Sequence, residues 1–149
     1  MMEQRDQTPG TQAADRGADI VGGPKSGTSG PGPEVMAAKT LQSNDVYNLQ
    51  DEKLGSIQEI MLDVQHGRIA YAVLSHGGML GLGDKLYAIP WSALTLDTDN
   101  KRFILDISTD RLSEADGFDK DNWPSMADEI WARQAYDFYG QPPYWQGPM

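Results

Sequence analysis

The stretch Arg68-Ile69-Ala70-Tyr71-Ala72-Val73-Leu74-Ser75 limits the possible folds more than any other part of this chain. In an extended strand successive side chains point to opposite faces, so Ile69, Tyr71 and Val73 share one face and Ala70, Ala72 and Leu74 the other. Both faces are apolar, and such a strand has to be covered on both sides. Just upstream, Ile60, Leu62 and Val64 alternate with more polar neighbours, and Gln65-His66-Gly67 forms a tight turn in which Gly67 supplies a positive φ. Leu54–Val64 and Arg68–Ser75 therefore predict a β-hairpin. The alternation slips near Gln58-Glu59, which predicts a bulge.

Other short apolar runs separated by turn residues extend the pattern. A first strand is expected over Thr40–Tyr47, interrupted at Ser43-Asn44-Asp45. Lys85–Trp91 is a strand that Pro90 brings to an edge or an end, because proline cannot donate to a ladder. Leu94–Leu96 and Arg102–Ile107 pair across Asp97–Lys101, with Phe103, Leu105 and Ile107 on one face. The predicted fold class is mainly β, a small closed or nearly closed barrel of six strands.

What precedes this region reads differently. Residues 1–38 are polar and turn-rich, and Gly22-Gly23-Pro24 through Gly30-Pro31-Gly32-Pro33 has almost nothing to bury, which predicts a disordered tail. The start of the chain has no apolar stretch resembling a secretory signal, and no run is long enough to span a bilayer, so a soluble, cytoplasmic protein is expected. With 22 acidic and 12 basic residues the formal charge is −10, which repels nucleic-acid backbones and anionic membranes. The absence of cysteine excludes disulfides, thiolate metal sites and a cysteine nucleophile.

Residues 111–149 form a C-terminal extension after a β domain at 39–110. Asp110 is expected to cap a short helical turn that ends at Gly117, and Ser125 with Asp128 to open a longer helix. Ala127, Trp131, Ala135 and Phe138 lie on one helical stripe with Ile130 beside them, and Gly140 and Pro142-Pro143 stop the helix.

Leu54-Gly55-Ser56-Ile57, Asp63 through Ser75, and Gly81-Leu82-Gly83-Asp84-Lys85-Leu86-Tyr87-Ala88-Ile89-Pro90-Trp91 together resemble the PRC-barrel family. That family includes the cytoplasmic domain of the photosynthetic reaction-centre H subunit and the last domain of a bacterial ribosome-maturation factor. The resemblance covers about Thr40–Asp110, and Gly117-Phe118-Asp119 with Asn122-Trp123-Pro124 looks like the tail of free-standing bacterial members. It implies a six-stranded barrel that docks on other proteins. The membrane helix of the H subunit and the N-terminal domain of the maturation factor are missing here, so neither function carries over directly.

Few residues suggest chemistry. Gly77 to Gly83 lacks the following helix and Lys-Ser/Thr pair of a phosphate loop, but its Met79, Leu80 and Leu82 make it a candidate sticky loop for a partner. His66 and His76, the only histidines, would need Asp63 or Asp84 to complete a metal site, and no metal or cofactor is expected. Asp97-Thr98-Asp99 and Asp119-Lys120-Asp121 lack the glycine and closing glutamate of a calcium loop and read as turn carboxylates. Tyr144 and Trp145, beyond Pro142-Pro143, have the least obvious shelter among the late aromatics and are the best candidates for contact with a second chain. The chain thus reads as a non-enzymatic interaction module, self-associating as a homodimer or holding another protein. The alternative is a barrel that binds a small ligand or cofactor near photosynthetic or other electron-transfer machinery.

Overall fold

The computed structural model describes residues 17–22, 34–77 and 84–145. Seven strands build one sheet: β1 (Asp19–Val21), β2 (Asp45–Tyr47), β3 (Lys53–Asp63), β4 (Arg68–Gly77), β5 (Asp84–Pro90), β6 (Leu94–Asp97) and β7 (Arg102–Leu105). Their order across the sheet is β1-β6-β7-β2-β3-β4-β5. Three helices accompany them, α1 (Ala38–Leu41), α2 (Thr109–Ser113) and α3 (Glu129–Phe138).

β5 and β6 stand five places apart in that order, yet only the 3₁₀ turn Trp91–Ala93 connects them. A flat sheet would separate them by roughly 24 Å at about 4.8 Å per strand, and so short a link reaches at most about 14 Å. The sheet therefore curls. Among the described residues no ladder joins the end strands β1 and β5, so the curl is not sealed by strand pairing. The expected six strands become seven because Asp19–Val21, placed in the disordered tail from sequence, lies parallel to β6 with Ile20 opposite Leu96. The main chain of β1 supplies what its exposed side chains do not, an acceptor at Val21 O for Thr98 N at 2.9 Å.

The hairpin forms as expected. β3 and β4 pair antiparallel, Gly67 adopts φ 67°, and its N–H reaches Asp63 O at 2.9 Å. The register slips at Gln58, between Ile57 and Glu59, and again between Met61 and Leu62. The second slip has no counterpart in the apolar alternation and moves Ala70 out of phase with Ala72. Ala72 and Leu74 enter the cluster inside the curl with Ile57, Ile89, Leu94 and Phe103. Tyr71 and Val73 face outward into a second cluster with Leu86, Ala88, Phe118, Ala132 and Tyr136, and Ala70 packs there too. Both faces of β4 are thus covered, one by the curl and the other by α3.

Other expectations need correction. Thr40–Tyr47 is not one interrupted strand: α1 carries Leu41 into the inner cluster, and Ser43, at φ 71°, turns the chain before β2. β7 ends at Leu105 rather than Ile107. Ser108, not Asp110, caps α2, its Oγ accepting from Arg111 N at 3.0 Å. Asp128, not Ser125, caps α3, its carboxylate accepting from Ile130 N at 2.8 Å, while Ser125 O closes the preceding turn. The buried stripe of α3 centres on Ala132 and Tyr136, with Trp131 and Ala135 beside them, and leaves Ile130 71% exposed. Tyr136 fixes that phase by donating to Ala70 O at 2.8 Å. α3 covers the sheet of its own chain.

Gly117-Phe118 completes the outer layer. Phe118 exchanges backbone bonds with Leu86 at 2.8 and 2.9 Å, which occupies part of the free edge of β5.

Candidate functional site

A concavity of about 500 Å³ opens between the turn end of the β3–β4 hairpin and the start of α3. The hairpin contributes Met61 through His66, Ala70 and Tyr71; Met126, Ala127, Glu129 and Ala132 form the opposite wall, and Tyr144 and Trp145 close one end. The bulge at Met61–Leu62 aims this hairpin end, because an extra residue in one strand sharpens its twist.

Asp63 is the polar centre. One carboxylate oxygen accepts from His66 N at 3.1 Å; the other lies 2.5 Å from the Tyr144 hydroxyl and 3.0 Å from His66 Nδ1. The Tyr144 bond, with help from His66, holds the Asp63 carboxyl down at about 2 against the upward pull of burial. Burial, followed by the Asp63 contact, pushes the Tyr144 hydroxyl upward. Arg68 Nη1 donates to Tyr144 O at 3.0 Å and ties the same turn to the start of β4.

Aromatic rings fill the floor. Tyr71 sits edge-on to Trp131 and Tyr136 at 5.5 and 5.4 Å, and Tyr136 meets Trp145 at 5.3 Å. Two donors in this layer, Tyr71 Oη and Trp145 Nε1, are buried without a hydrogen-bond partner among the described residues. Burial first, and then Tyr144, raises the Tyr71 hydroxyl far above its ordinary range, so it stays protonated and a donor at neutral pH. The rim is apolar as well as charged: Leu62 is 63% and Val64 89% exposed.

Residues 33–112, just over half of the 149, match the PRC-barrel domain. The chain belongs to the PRC-barrel domain family. Among solved structures, this PRC-barrel chain is similar to RimM, a 16S ribosomal RNA processing protein from Pseudomonas aeruginosa, at 18% identity and a TM-score of 0.36. The likeness covers 50% of this chain and 45% of that one, so the chain spans less than half of RimM. Among curated proteins none matches.

The residues singled out from sequence fall unevenly on this PRC-barrel domain. Met79, Leu80 and Leu82 lie outside the described residues. Tyr144 and Trp145 do not lack shelter: both are half-buried against their own chain, and Tyr136 contacts each ring. His66 keeps its exposed place on the turn, whereas His76 is half-buried, bonded through Nδ1 to Leu54 O and edge-on to Tyr87 at 6.0 Å. Among the described residues no three metal-binding side chains converge. Asp97 shapes the β6–β7 turn by accepting from Asn100 Nδ2 at 2.7 Å. No helix among the described residues is long and apolar enough to cross a membrane.

Tyr136, one of the late aromatics, and Met126 were not singled out from sequence as site residues. A phase set by Ala132 and Tyr136, four apart, was available as a signal for the first; none marks Met126.

Proposed function

We propose that this chain is a non-catalytic PRC-barrel interaction module of the cytoplasm that self-associates, joining two copies through the rim of the cleft. The observation that carries this reading is the solvent-facing apolar set Leu62, Val64 and Ile130, at the hairpin end and the first turn of α3. Leu62 and Val64 line the concavity, and Ile130 follows the lining residue Glu129 in sequence; exposed aliphatic side chains favour association, since covering them removes apolar surface from water. Around them stand charges of both signs, Arg133 paired with Glu129 at 2.7 Å and the Asp63 carboxylate, which His66 Nδ1 meets at 3.0 Å. An isologous interface sets a patch against itself, and a patch carrying both signs can match its own copy. The six-stranded barrel implied by the family resemblance belongs to the same proposal, with β2 to β7 as its wall and β1 as an added edge.

Light scattering across a concentration series tests the reading. The expected result is a mass that rises above the monomer and returns to it in the double variant Leu62→Glu, Val64→Glu. A monomer at every concentration contradicts it. Because both side chains are exposed, the double variant leaves the core intact. Replacing Tyr144 and Trp145 would disturb in-chain packing as well.

A second reading, small-ligand binding, rests on a separate observation, the two buried donors without partners beside the cleft.

A further inference from the structure

Buried polar atoms are almost always hydrogen-bonded, so two unpartnered donors at one cavity call for an explanation. Tyr71 is 1% exposed, and its hydroxyl and the Trp145 indole N–H both lack an acceptor. Nearby acceptors are in use. The Asp63 carboxylate serves Tyr144 and His66, and Ala70 O serves Tyr136. Of the three clustered tyrosines only Tyr71 is left without a partner. Both donors belong to residues that line the same cavity, whose size of about 500 Å³ falls in the range of small-molecule sites.

The remaining wall restricts the chemistry of an occupant. Met61, Ala70, Met126 and Ala132 present apolar surface, and the two methionines adapt to flat rings. Asp63 and Glu129 stand at the edge, which disfavours an anion. The two buried polar atoms left unpartnered at this wall are there to donate. From this we infer that the cleft binds an uncharged, mainly apolar small molecule that offers a carbonyl or ether oxygen to Tyr71 Oη and Trp145 Nε1. Both atoms are buried, so the site requires the Trp145 indole, carried on the turn after α3, to move aside for such an oxygen. The site deepens the small-ligand reading, and its test does not require self-association.

A matched pair of probes tests it on the full chain: methyl naphthyl ketone, and isopropenylnaphthalene, which has the same shape without the acceptor. Each is titrated while the indole N–H resonance of Trp145, assigned with Trp145→Phe, is followed by NMR. The expected result is a saturable shift with the ketone and an affinity above that of the hydrocarbon by about fivefold for each hydrogen bond accepted. In Tyr71→Phe that preference falls about fivefold while the hydrocarbon affinity stays the same. Absence of saturation with the ketone, or the same preference in Tyr71→Phe, overturns the site. The melting temperature of Tyr71→Phe without probe is an independent check. It should equal or exceed that of the parent, and a clear drop would show that the hydroxyl has a protein partner and overturn the site too. Diffusion rates measured on the same samples report self-association separately, so failure of one reading is not mistaken for failure of the other.

Discussion

Asp63 links two segments that lie 81 residues apart, the hairpin turn and the turn after α3, through its bond to Tyr144. Its folded carboxyl sits near 2 and its ordinary value is 3.8, so on acidification the unfolded chain takes up the proton first. The stability it contributes is whole above about pH 4, fades as the pH falls toward 2 and is gone below that. In urea unfolding, Asp63→Asn should be less stable than the parent at pH 7, and the gap should close between pH 4 and pH 2. A gap independent of pH would show that the carboxylate charge is not what matters. Tyr136→Phe should cost about 1 kcal/mol by losing the bond to Ala70 O. At this scale the sequence was a poor guide. Asp63 and His66 form a pair three residues apart that any reader can locate, but nothing in the chain announces that Tyr144 joins them.

Elements were more legible where a local rule is strict. The β3–β4 hairpin and its Gln58 bulge followed from alternation and from Gly67, because a period of two fixes which side chains share a face. Gly55 adds a requirement visible only in three dimensions: at φ 155° a Cβ there would lie 1.9 Å from Ser75 O, so Gly55→Ala should destabilise by roughly 1–3 kcal/mol or more in thermal unfolding. Helix starts were misplaced by a few residues, since Ser125 and Asp128 are both good caps and tertiary packing chose the second. Asp128→Ala should cost about 1 kcal/mol by the same measurement. β1 was missed because none of its three residues is buried, so no apolar pattern betrays it. Ile20→Pro should speed amide exchange at Thr98, whose partner is Val21 O, and leave Phe103 and Leu105 protected.

For the whole molecule, a curled sheet with one face turned inward and α3 packed on the other leaves the hairpin end, with Leu62 and Val64, as one place where apolar surface meets solvent. The general architecture could be read from the sequence because β4 is apolar on both faces. The cleft could not, because it is made where distant segments meet. Self-association through its rim is tested most directly by NMR cross-saturation in a mixture of perdeuterated, amide-protonated chains and unlabelled chains. The expected result is signal loss transferred between copies at the amides of Leu62, Val64 and Ile130, absent in the double variant Leu62→Glu, Val64→Glu. No transfer at millimolar concentration, or transfer confined to the β1 edge, would contradict it.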